Sequence, residues 1–335
     1  MRPYLNNAFH RKPADPLFTH FKANLARFSA HKASYVHRVI ENELNSPADG
    51  SDVSPQQKAA ARLRMFDQFQ RTERNTAIAR ARTAVQFERF NQPDELRLFP
   101  NLRWLPSRSA EPRPTHMQFY NRVWAKDDPF WNSNCPGTEW NCKCDLEQTN
   151  DPPTENANIH TPAPPLGLEG NPYHTHQLFT DRVSYIRHNA KLMGAERAER
   201  LAQGVARSAL QKNAKNSPLL GKTAKATING LEQEISIKDW GIKETAFSMF
   251  GKTEFWLKNE LLSLFEAYIA KAQYIGSKDV DLSHNTNKKR LRIKRSMSKF
   301  HYLKTNINGT SFLFHVAEHK NGTMCLYSIT KAAPE

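Results

Sequence analysis

Near the C-terminus, two Asn-Gly pairs, Asn308-Gly309 and Asn321-Gly322, stand between runs rich in β-branched and aromatic residues: HYLKTNI, TSFLFHVAEHK and TMCLYSITKA. No other feature of the chain restricts the fold as tightly. Both central positions of a two-residue type I′ turn need positive φ, which Asn and Gly tolerate, and this turn matches the twist of the flanking strands. Two such turns in succession predict a three-stranded antiparallel meander. With two residues in each turn, counting outward sets the register. Tyr302 then pairs with His315 and Lys304 with Leu313, while His315 also pairs with Ser328 and Leu313 with Thr330.

Side chains alternate along a strand. One face of the meander therefore carries Tyr302, Lys304, His315, Ser328 and Thr330. The other carries Leu303, Phe312, Phe314, Val316, Cys325 and Ile329, with His301 and Tyr327 among them. A helix over 253–270, with Phe255, Leu262, Phe265 and Ile269 on one apolar stripe, is the natural cover for this second face. The first face assembles groups suited to metal-free phosphodiester chemistry on RNA. A base removes the 2′-OH proton, a cation and hydroxyl donors stabilise the charged phosphorane, and an acid protonates the leaving 5′-oxygen. In that scheme His315 is the acid or base, Lys304 the electrostatic clamp, and Ser328 and Thr330 the phosphate donors. The plain alternative is a polar, solvent-facing side of a sheet. A bulge at a turn would shift the register by one and bring His301 to the polar side, so His301 stays a candidate.

The rest of the chain is mostly helical. Residues 17–46 lack Pro and Gly and space Phe21, Leu25, Phe28, Tyr35 and Ile40 as a helix does. ADGSDVSP breaks that helix, and Ser54 with Gln57 forms a capping box for a second helix running to about Phe90. Its RTERNTAIARARTAVQFERF stretch is either the solvated face of a helical hairpin or a surface for DNA or a partner. Short segments follow from Phe99, then the Pro- and Asn-rich NDPPTENANIHTPAPPLGLEGNP, which reads as a linker or extended arm. Residues 177–215 read as basic helix, and Asn229-Gly230 between KATI and LEQEISI as a further hairpin.

A length of 335 residues leaves room for two or three domains, and a formal charge of +15 favours a polyanion such as nucleic acid as neighbour. No apolar run is long enough to span a bilayer, and MRPYLNNAFHRK has no signal-peptide core, so synthesis in the cytoplasm is expected. Four unevenly spaced cysteines do not make a disulfide framework. Three of them lie in DDPFWNSNCPGTEWNCKCDL. Cys142 and Cys144 could share a zinc ion, with Cys135 and His116 the nearest residues to complete a four-ligand site; a buried pair of structural thiols is the alternative. No His lies beside them in a nucleophile motif, which argues against a catalytic thiol.

The stretch RSAEPRPTHMQFYNRVWAKDDPFWNSNCPGTEWNCKCDL resembles the phage head morphogenesis family, the Mu F-like minor head proteins. The resemblance covers residues 60–148 and is carried by Arg113, Pro114 and His116, then Asp128, Pro129, Phe130 and Trp131, then Trp140, Cys142, Lys143 and Cys144. PGTE replaces the family's Pro-Pro-x-Gly turn, and Cys135 is additional. The resemblance implies a minor capsid protein of the virion, made in the bacterial host cytoplasm, located in the capsid interior or at the portal vertex. Its implied partners are portal and capsid proteins and phage DNA, with no membrane.

FWLKNELL, FHYLKT and LYSIT are in turn similar to phage-associated members of the barnase, EndoU, colicin and RelE nuclease superfamily, over about 95 residues. That similarity is carried by Lys258, His301, Tyr302, Lys304, Ser328 and Thr330, and it implies a toxin-like ribonuclease needing no cofactor, an RNA substrate and an immunity protein. The expected fold class is α+β. The expected order is a helical head-protein domain over 1–148, a linker over 149–185, a basic helical connector with a hairpin over 186–234, and a nuclease-like helix-plus-meander domain over 235–335. Two rivals stand beside this reading. One is a purely structural head protein whose C-terminal sheet binds portal, scaffold or DNA; the other is a zinc-stabilised DNA-binding protein unrelated to virions.

Overall fold

A computed structural model describes residues 15–47, 52–155, 159–161, 163–283 and 288–333. The N-terminal MRPYLNNAFHRK, and the expectation attached to it, lie outside them. The fold is α+β and divides into two units: residues 31–195 form one, and residues 15–30 with 196–333 form the other. Among the described residues, no helix is long and apolar enough to cross a membrane.

Helix α1 (Pro16–Leu44) contributes its first part to the second unit and its last part to the first. Its periodic residues Phe21, Leu25 and Phe28 are buried. Helix α2 (Pro55–Phe90) begins at the expected capping box: the Gln57 N–H donates to the Ser54 hydroxyl at 3.2 Å, and the Ser54 N–H donates to the Gln57 side-chain oxygen at 2.8 Å. The Arg-rich stretch of α2 is not a uniform exposed face. Arg80 is fully buried, and its guanidinium donates to the carbonyls of Gly137, Leu168, Glu169, Gly170 and Gln177. Glu73 is also buried, held by Lys32 at 2.7 Å and the Tyr185 hydroxyl at 2.7 Å. An Arg has five donors in a fixed fork, so enclosing it costs little only where acceptors converge, as here.

Those acceptors come largely from the Pro- and Asn-rich segment expected to be a linker. It packs instead: Leu168, Leu178, Phe179 and Val183 are buried, and helix α3 (Ser184–Met193) follows. The first unit's sheet has the order β2 (Val123–Ala125), β1 (Asn101–Leu105), β3 (Asp145–Thr149), all antiparallel. The Asp-Pro-Phe-Trp block closes an aromatic core on this sheet. Trp124 stacks on Phe130 at 4.1 Å, Trp131 donates its indole N–H to the Ala125 carbonyl at 2.8 Å, and the Phe130 N–H donates to the Asp128 carboxylate at 2.8 Å.

The second unit contains helix α4 (Ala195–Asn213) and a six-stranded sheet. Its order is β4 (Thr223–Ile228), β5 (Leu231–Ile237), β9 (Met324–Lys331), β8 (Thr310–His319), β7 (Met297–Ile307), β6 (Gln273–Asp279). The meander is thus present, and the hairpin read as part of the connector joins its sheet, β5 running parallel to β9 through Ile235–Ile237. Beyond that pairing, helix α5 (Asp239–Phe247) takes over the β9 edge. Gly241 permits this: a Cβ there would stand 2.2 Å from the Leu326 carbonyl oxygen. The helix expected over 253–270 is two pieces, α6 (Phe255–Ser263) and α7 (Phe265–Ile269), parted at Leu264, where the backbone N–H is shared between the Glu260 and Leu261 carbonyls. Both pieces cover the core face, burying Leu261, Leu262, Phe265 and Ile269 against Leu303, Phe312, Phe314, Val316 and Ile329.

The first Asn-Gly turn holds two residues, with φ of 45° at Asn308 and 83° at Gly309, and the β7–β8 register is as counted. The second turn differs. The His319 N–H donates to the Thr323 carbonyl at 2.8 Å, closing a three-residue connection, Lys320 to Gly322, and the Gly322 N–H donates back to the His319 carbonyl at 2.8 Å; β9 compensates with a bulge at Tyr327. Two placements on the core face are corrected by this. Cys325 lies opposite Ala317, and Tyr327 packs with Phe300 and Trp240 on the outer face. Past the bulge the expected register returns, so His315 still faces Ser328 and Leu313 faces Thr330.

Candidate functional site

In the first unit, the short helix Pro114–Met117 and the loop entering β3 bring His116, Cys142 and Cys144 together, all three buried, with their ligand atoms within 4.8 Å of one another. His116 Nδ1 is 3.6 Å from each sulfur. Zinc bonds of ~2.0 Å to nitrogen and ~2.3 Å to sulfur at a tetrahedral angle place those atoms about 3.5 Å apart. The donor set therefore fits a metal. Behind it, His116 Nε2 lies 3.7 Å from the Glu139 carboxylate, itself held by Arg113 at 2.8 Å and the Thr115 hydroxyl at 3.1 Å. At that distance the carboxylate is a charged neighbour on the side of the ring away from the thiols, beyond hydrogen-bond length. Within the thiol pair, hydrogen bonds to Cys144 and to His116 hold Cys142 well below an ordinary thiol, whereas the bond to Cys142 and burial raise Cys144. Cys135 stands apart from this set, its thiol pushed up to about 12 by burial. All four cysteines are free.

In the second unit, the outer sheet face gathers Tyr302, His315 and Thr330. His315 Nε2 and the Thr330 hydroxyl are 2.8 Å apart, and the Tyr302 ring stands edge-on to the imidazole at 5.0 Å. Burial pushes His315 down to about 4, so the imidazole is neutral at neutral pH. Lys304 is two positions along from Tyr302, across from Leu313 on β8 and Gln273 on β6. Ser328 lies on the His315 rung but is buried, away from where a dissolved substrate would arrive. One end of this face is covered by Met297, Phe300, Ala317, Trp240 and Tyr327.

His301 and Lys258 are elsewhere. His301 sits on the core face, buried, with Nε2 at 2.9 Å from the Glu318 carboxylate. No bulge moves it across, because the one on β7 lies between Met297 and Lys299. Lys258 is fully buried in α6 and donates to the carbonyls of Thr245 and Ser248 at the end of α5. Burial pushes its ammonium down to about 7, while the carbonyls offer acceptors that only an N–H donor can use.

Sequence reasoning missed Glu139 and Arg80. Glu139 lies within the quoted GTEW and carries no spacing signal, since its partner His116 is 23 residues upstream (139 − 116). Arg80 lies among other arginines of α2, and the one hint of burial was the alanine that interleaves them.

An α+β protein with a buried His-Cys-Cys ligand set in one unit and a polar sheet face in the other is the class that fold and sites define. The comparisons with known proteins add one relation: the chain is similar to the Mu-like prophage FluMu F protein of Haemophilus influenzae, 29% identical over 77 residues. That match spans 23% of this chain and 17% of the relative. No family model matches, and no solved structure does.

Proposed function

We propose that this chain is a phage or prophage minor head protein, acting in capsid assembly and DNA packaging, with a metal-independent endoribonuclease in its C-terminal unit. Similarity to a prophage F protein supports the head-protein part, together with the Asp-Pro-Phe-Trp and Cys-Lys-Cys blocks. On this reading the partners are portal and capsid proteins, phage DNA, an RNA substrate and an immunity protein, in the virion. The division 1–148, 149–185, 186–234 and 235–335 is kept as a proposal about functional parts. His116, Cys142 and Cys144 would hold a structural zinc; when bound, the ion would cross-link the loop entering β3 to the helix carrying His116.

One observation carries the ribonuclease reading: a neutral imidazole, a phenol, a hydroxyl and a lysine share one half-exposed sheet face. With Nε2–H donating to Thr330, His315 Nδ1 keeps a lone pair to take the 2′-OH proton. The 2′-oxygen then attacks phosphorus, Lys304 stabilises the phosphorane charge, and the Tyr302 phenol gives a proton to the departing 5′-oxygen. Ser328 takes a positioning part beneath His315, and His301 and Lys258 support the sheet and its covering helices. The products are a 2′,3′-cyclic phosphate and a 5′-hydroxyl. The test is incubation of the purified full-length protein with total RNA in EDTA. Cleavage lost in His315→Ala supports the reading, and intact RNA with well-folded protein ends it. A C-terminal unit that binds portal or DNA without catalysis is the second reading, favoured by His315's low proton affinity, which makes it a weak base.

A further inference from the structure

An open groove of about 1200 Å³ lies at the β7–β8 turn end of the second unit. Its lining includes Lys252, Lys271, Lys304 and Lys331 with Gln273 and Asn306, and among the described residues no carboxylate lines it. Four lysines arrive from four separate segments: the connection after α5, the loop after α7, strand β7 and the end of β9. Such convergence is not the solvated face of one helix. Glu254, outside the lining, pairs with Lys331 and offsets part of the charge. The wall on the turn side is preset, since the Gly309 N–H donates to the Asn306 side chain at 2.9 Å and Asn306 donates to Ser311 at 3.2 Å. The space far exceeds the ~30 Å³ of one water, so a single small anion would leave most of it wet, whereas a run of linked phosphates could follow it. Lys304 joins the groove to the outer face, two strand positions, about 7 Å, from Tyr302.

We propose that this groove binds the phosphate backbone of single-stranded RNA and feeds it toward Tyr302 and His315. The ligand class rests on the ribonuclease reading above; the groove itself does not. Ammonium groups lining a groove bind a polymer by displacing its counterions, with little regard to base sequence.

The experiment uses the full-length His315→Ala protein, so that binding is read without cleavage, and a short fluorescein-labelled single-stranded RNA followed by anisotropy across a salt series. Adding Lys252→Ala and Lys271→Ala should weaken binding roughly tenfold and reduce the slope of log K against log salt by about 1.4, as for two lost single-strand phosphate contacts. The control pair Lys278→Ala and Lys299→Ala removes the same charge from exposed positions outside the groove and should leave both quantities near their starting values. Unchanged affinity and slope in the groove variant, or an equal loss in the control, overturns the proposal even when the wild-type protein cuts RNA. If the wild-type protein cuts no RNA yet the groove pair alone weakens binding as stated, the groove stands and the ribonuclease reading falls.

Discussion

Two imidazoles, His116 in the first unit and His315 in the second, show how surroundings divide the work of one side chain. His116 is enclosed with two thiols at 3.6 Å and backed by a carboxylate at 3.7 Å. Soft ligands and a charged neighbour, shielded from water, suit a cation that stays. His315 has a hydroxyl at 2.8 Å and a phenol ring beside it on a half-exposed face. A hydroxyl orients the ring without adding charge, so burial alone governs the proton. The residue type is the same; the neighbours decide whether its surroundings suit a metal or a proton transfer.

The contrast can be broken first at Arg80. Arg80→Ala leaves several buried carbonyls without donors and should cost about 4 kcal/mol, unfolding much of the frame around the thiol pair. Hydrogen exchange over residues 99–149 would report it, and unchanged protection there would mean the buried network is incidental. Next is the ligand set itself. Cys142→Ser should abolish a stoichiometric zinc signal in elemental analysis of the reduced protein, and chelation of the wild type should lower stability by roughly 3 kcal/mol. Zinc-free wild-type protein would remove the metal from the comparison.

The third test separates the imidazoles by pH. Burial holds folded His315 near 4, against 6.5 as the ordinary value, so between those pH values the unfolded chain binds the extra proton. Stability therefore falls as pH drops through that window, by about 3 kcal/mol in total from this group. His315→Gln should remove that part of the decline, measured by urea unfolding at pH 7 and 4.5. A variant that declines as steeply as the wild type would place the acid sensitivity elsewhere. The smallest effect is expected from Thr330→Val, about 1 kcal/mol of stability and roughly tenfold in RNA cleavage rate. A rate unchanged by this substitution would show that the Thr330 contact does not set the His315 tautomer.

Much of the second unit was legible because turn chemistry is local. Asn308 and Gly309 take the positive φ values that the pair suggests, and from that turn the rungs Tyr302–His315 and Lys304–Leu313 follow by counting. The second turn shows the limit of counting. A third residue entered the loop and a bulge at Tyr327 restored the register, which moved Cys325 and Tyr327 to the other face and left His315 opposite Ser328. In the first unit, the Cys-Lys-Cys pair and His116 were readable as candidates, but Glu139 was not, because no spacing rule links it to His116. The Arg-rich helix misled for a related reason: exposure is set by what packs on a helix, and the carbonyls enclosing Arg80 lie 57 to 97 residues further along the chain (137 − 80 and 177 − 80).

By itself, then, the sequence determined what neighbouring residues decide: the capping box at Ser54, the helical periods, the Asn308-Gly309 turn and the alternation of the last strands. These rest on φ preferences and on the periods of helix and strand, which act over a few residues. Only the tertiary structure decided that His116 and not Cys135 joins Cys142 and Cys144, that β5 runs parallel beside β9, and that His315 bonds to Thr330 while His301 pairs with Glu318. Those outcomes depend on contacts between segments far apart in the chain, where burial, steric fit and the satisfaction of polar groups choose among arrangements that local preference leaves equal.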